Sequence, residues 1–68
     1  MKSRTTEEAT VLLGNIRNDF ETFHTEASVF LLNGNKSANR RTRKRSVKLR
    51  AEMKELRELL LIIEKETK

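Results

Sequence analysis

The chain has 68 residues and a net charge of +5, with no Cys, no Pro and only three aromatic residues, all Phe. Without Cys it forms no disulfide and supplies no thiolate nucleophile or Cys-based zinc site, and no cofactor is implied. Its longest apolar run, Leu59 to Ile63, has five residues, far short of the roughly 20 needed to span a bilayer.

A first helix is expected over about residues 5–32. Ala9, Leu13, Ile16, Phe20, Phe23, Ala27 and Phe30 recur at the spacing that lays one apolar stripe along a helix. The N-terminal Met-Lys-Ser-Arg-Thr-Thr-Glu-Glu lacks the apolar core of a signal peptide, and a cytoplasmic location is expected. Thr5 and Glu8 have the spacing of a capping box. Glu7 and Glu8 are better read as partners of the helix dipole than as a catalytic carboxylate pair, because adjacent helical residues point apart.

The stop signal is Asn33-Gly34-Asn35. Gly34 suits the left-handed conformation that closes a helix, and Asn35 suits the cap of the next. A second helix is expected over about 36–66, with Ala38, Thr42, Ser46, Leu49, Met53, Leu56, Leu60 and Ile63 on its seam. So short a link makes the helices antiparallel, and the chain reads as one all-α, coiled-coil-like hairpin domain over 1–68. Folding at Gly34 sets Phe20 against Leu49, Ile16 against Met53, Leu13 against Leu56 and Ala9 against Leu60. Near the turn, Phe23 meets Ser46, Ala27 meets Thr42 and Phe30 meets Ala38. One edge of that seam collects Arg17, His24, Lys36, Arg43, Arg50 and Arg57. The other holds Asp19, Glu26, Arg45 and Glu52 with Leu12 and Leu59. Two helices bury a single seam, so self-association into a dimer or a four-helix bundle is expected, through Leu12, Leu59, Leu61 and Ile62.

The feature that points to function is the start of the second helix. Lys36, Arg40, Arg41, Arg43, Lys44, Arg45, Lys48 and Arg50 place eight cations in fifteen residues with no acid. Most charge runs are solvated faces, but this one lies where the helix dipole is positive and cations are disfavoured. Few acids across the seam are placed to neutralise it, Glu26 with Arg45 being the clearest pair. A polyanion is the fitting partner, and Arg grips phosphate oxygens bidentately. With every Phe on the core stripe, base stacking is disfavoured. Asn39 is the one candidate for a base-edge contact and is better read as a surface residue. The expected mode is contact with the phosphate backbone of double-stranded DNA, independent of sequence. RNA, or an acidic protein docked by a helical adaptor, fits the same charge. His24 stands alone and reads as a seam-edge residue rather than a metal ligand. No phosphate-binding loop and no nucleophile–base set is present, so an enzyme is not expected.

The segment Gly34-Asn35-Lys36-Ser37-Ala38-Asn39-Arg40-Arg41-Thr42-Arg43-Lys44 resembles the hairpin turn of the bacterial linker-histone-like nucleoid proteins, G-N-K-A-A-x-R-x-R-K. Gly34, Asn35, Lys36, Ala38, Arg41, Arg43 and Lys44 match motif positions, and Ser37 stands where the family has Ala. The likeness extends weakly through Leu49, Met53, Leu56 and Arg57. It implies non-specific DNA binding, chromosome condensation and a place in the nucleoid. Some members carry a Lys-rich tail, whereas this chain ends in a mixed-charge apolar stretch, which makes bridging by oligomers more necessary.

Overall fold

The computed structural model describes residues 4–66. Two helices, α1 (Arg4–Asn33) and α2 (Lys36–Glu66), make up the described chain. Residues of α1 reach across to α2 in reverse order, Asp19 to Arg45 and Glu26 to Arg41, so the helices are antiparallel. The hairpin is a rod of 50 × 16 × 14 Å.

The turn is built from the backbone chemistry of two residues. Gly34 has a φ of 67°, the left-handed region that costs a side-chain-bearing residue steric strain. In this conformation its N–H donates to the carbonyl of Phe30 at 2.7 Å, closing the last turn of α1. Asn35 then caps α2, its Oδ1 accepting from the Ala38 N–H at 3.1 Å. The first α2 backbone bond runs from the Asn39 N–H to the Asn35 carbonyl at 3.1 Å. The cap expected at Thr5 is absent: α1 already includes Arg4, so Thr5 is inside the helix. Glu8 lies instead 3.8 Å from Arg4, one turn back along the same face.

The seam differs from the expected one. Leu13, Phe20, Met53 and Leu60 remain 53–56% exposed, and Ser46 is exposed as well. The expected contacts of Phe20 with Leu49, Ile16 with Met53, Leu13 with Leu56 and Ala9 with Leu60 are therefore not the centre of the packing. The inward stripe of α1 is Thr5, Ala9, Leu12, Ile16, Asp19, Phe23, Glu26 and Phe30; that of α2 is Ala38, Thr42, Arg45, Leu49, Glu52, Leu56, Leu59 and Ile63. Both keep a strict 4-3 spacing, so each helix has turned about its axis by a fraction of one residue's step. This rotation moves Asp19 and Glu26 from the edge of the seam to its middle, against Arg45, Lys48 and Arg41 of α2. Ala9, Ala38 and Leu49 are the buried hydrophobic residues among those described. The Thr42 hydroxyl, half-buried on the seam, donates to the Ala38 carbonyl at 2.8 Å.

Candidate nucleic-acid interface

The middle of the seam is ionic. Arg45 Nη1 donates to Asp19 Oδ1 at 3.0 Å, and Lys48 Nζ stands 3.3 Å from Asp19 Oδ2. Nearer the turn, Arg41 reaches Glu26 Oε2 through Nη2 at 2.9 Å and Nε at 3.0 Å. The pairing read from sequence, Glu26 with Arg45, is thus replaced by two: Glu26 takes Arg41, and Arg45 takes Asp19. Asp19 is 9% exposed, and a buried carboxylate requires partners of this kind.

Glu52 completes the group. Asp19 Oδ2 and Glu52 Oε1 are both buried; Lys48 Nζ is the cation beside Asp19 Oδ2, and a proton on Glu52 gives it a hydrogen bond to Asp19. The hydrogen bond from Glu52 lowers the Asp19 pKa below its ordinary value; Lys48 and Arg45 act in the same direction, and burial opposes them. The same bond raises that of Glu52, with help from burial and from the Asp19 charge.

These contacts sort the eight cations read from sequence. Arg41, Arg45 and Lys48 are held by α1 acids. Lys36, Arg40, Arg43, Lys44 and Arg50 are exposed and make no ion pair among the described residues. The first turn of α2 contains no acid, so the dipole's positive end adds to the local potential instead of being neutralised. On the back of α2, Arg40, Arg43, Lys44 and Val47 line a shallow basin of about 270 Å³. Sequence reasoning did not separate held cations from open ones, because that division depends on Asp19 and Glu26 turning inward.

The remaining candidates resolve simply. His24 is exposed with its ring centroid 6.5 Å from that of Phe20; the turned seam places it on the outer side of α1 and not at the seam edge expected of it. The described residues contain no group of metal-ligating side chains and no helix long and apolar enough to cross a membrane. Leu12 and Leu59, expected to carry self-association, are half-buried and line a groove of about 650 Å³ between α1 and α2 with Val11, Glu8 and Glu55. Leu61 and Ile62 are each 47% exposed.

A search of curated proteins and a search of solved structures each found no match. A family does match: the one described as Histone H1-like protein Hc1, over residues 11–66. That span contains the turn, the ionic seam and every cation of the basic run, and the chain belongs to this histone H1-like family of DNA-binding nucleoid proteins, a structural rather than an enzymatic class.

Proposed function

We propose that the hairpin binds double-stranded DNA through the phosphate backbone, without reading sequence, and that copies of it join to organise the chromosome. One observation carries this: five cations at the start of α2, Lys36, Arg40, Arg43, Lys44 and Arg50, stand open and unneutralised. Membership of a histone H1-like family makes DNA the fitting polyanion. The exposed basic side chains include no aromatic to stack on a base, and flexible Lys and Arg suit phosphates whatever the base order. Arg41, Arg45 and Lys48 lie alongside, but their charges are met by Asp19 and Glu26, so they stand outside the phosphate contacts.

Assembly follows from the other exposed feature. Leu13, Phe20, Met53 and Leu60 fall on one side of the hairpin, and a second copy laid against that face completes a four-helix bundle. Two basic runs on one particle would bridge two duplex segments, the step by which a small protein condenses DNA.

The test is the salt dependence of binding to a labelled duplex. With about five phosphates neutralised per hairpin, log K falls against log salt with a slope near −4.5. Two duplexes of unrelated sequence should give the same slope and similar affinity. A salt-independent affinity, or a strong preference for one sequence, rejects the proposal.

A further inference from the structure

The open cations continue past the acid-free run. Lys36, Arg40, Arg43, Val47, Arg50, Lys54 and Arg57 are separated by 4-3-4-3-4-3 residues, so they form one stripe along α2. All seven are exposed, and none of the six cations makes an ion pair among the described residues. No acid occupies the stripe, although Glu52 and Glu55 interrupt the same stretch of sequence. Those two turn the other way, Glu52 onto Asp19 and Glu55 to the groove beside Leu59. Arg41, Arg45 and Lys48 lie off the stripe, on the side of the ionic seam.

We infer that the DNA contact follows this stripe beyond the start of α2, with the duplex backbone lying along α2 as far as Lys54 and Arg57. The inference deepens the proposed function and rests on it. From Lys36 to Arg57 the helix rises roughly 32 Å, close to the roughly 34 Å of one duplex turn. A straight, rigid row of six charges matches a rigid duplex edge, which carries one negative charge per about 1.7 Å of axis. The stripe lacks the aromatic platforms that a flexible single strand uses. Val47, 69% exposed, is its one gap in charge, and the basin beside it is walled by Arg40, Arg43 and Lys44. Arg50 and Arg57 border Met53 and Leu60, so a second copy covering the apolar face leaves the outer side of the stripe open.

The experiment measures affinity for a labelled 20-base-pair duplex across a salt series, with helicity followed by circular dichroism. Lys54→Ala/Arg57→Ala should make the log–log slope shallower by about 1.8, so that a fourfold rise in salt costs it about tenfold less affinity than the parent. Val47→Lys should steepen the slope by about 0.9. Lys48→Ala, which removes a cation held by Asp19, should leave the slope at the parent's value. A salt-dependent parent whose slope is unmoved by the Lys54/Arg57 double change, or moved as much by Lys48→Ala, overturns the stripe and leaves the proposed function standing. A single strand of equal length bound as tightly as the duplex overturns the duplex as occupant. A salt-independent parent fails the proposed function and the stripe together.

Discussion

Asp19 is the residue on which the seam turns. It is the one buried charged residue among those described, and it faces Arg45 and Lys48 on one side and Glu52 on the other. The two carboxyl groups have opposite dependences on pH. Asp19 is depressed from its ordinary 3.8, so its contribution is present above that value and is lost as pH falls through the lower folded one. Glu52 is raised from its ordinary 4.5, so its contribution is present below 4.5 and is lost as pH rises through the higher folded one. The pair therefore cooperates while Asp19 is ionised and Glu52 protonated, a window extending on both sides of pH 4. Once pH has risen through the folded Glu52 value the proton is gone, and two carboxylates share a site beside Arg45 and Lys48. Glu52→Gln supplies a permanent donor to Asp19. It should melt a few degrees higher than the parent at a pH above the folded Glu52 value, and the gain should vanish at pH 4. An equal difference at both values would show that the two side chains do not share a proton.

At the scale of the element, the turn and the seam depend on different kinds of information. Gly34 and Asn35 act through their own backbone and side chain, so their roles could be read from the dipeptide alone. The left-handed φ and the cap to Ala38 are both present. A Cβ added at Gly34 meets no atom within 4 Å, so Gly34→Ala should cost only its conformational strain, about 1–2 kcal/mol. Asn35→Ala leaves the Ala38 N–H without its acceptor and should cost about 1 kcal/mol. Urea unfolding at fixed protein concentration measures both, and a Gly34→Ala variant as stable as the parent would contradict the turn. The seam was less legible, because each helix carries two overlapping 4-3 stripes. Ala9, Leu13, Ile16 and Phe20 form the more hydrophobic one; Ala9, Leu12, Ile16 and Asp19 form the one that packs. Hydrophobicity selects the first, whereas opposite charge across two helices selects the second. Choosing between them from sequence requires knowing that Asp19 meets Arg45, a relation between residues 26 positions apart. The same relation decides which cations stay open, so the basic run was legible and its division into held and open members was not.

For the molecule as a whole, the turned seam explains why four large apolar side chains expected on it are left outside. The hairpin buries only Ala9, Ala38 and Leu49 among its described hydrophobic residues, too little to stabilise a chain of this length unaided. Leu13, Phe20, Met53 and Leu60 are each more than half exposed on one face, and the Phe20 and Phe23 rings, 6.2 Å apart, continue it toward the seam. On the proposed assembly, folding and association are one process: the first copy presents a face that becomes a core when the second arrives. Light scattering should give the parent a mass at least twice the 8.0 kDa of one chain. Phe20→Glu/Met53→Glu places two charges at the centre of the face and should give a single-chain mass together with lost helicity. Leu32→Glu changes a residue that is 83% exposed beside the turn and should leave the mass unaltered. A parent of single-chain mass, or a Phe20/Met53 variant that still associates, would remove the assembly from the argument. In the associated form each particle carries two stripes, so duplex bridging should be lost in the Phe20/Met53 variant even where binding of one duplex survives. A bridging assay with one duplex immobilised and a second one free reads the two properties separately. If the variant retains bridging, one hairpin contacts two duplexes by itself, and the apolar face has another occupant than a second copy.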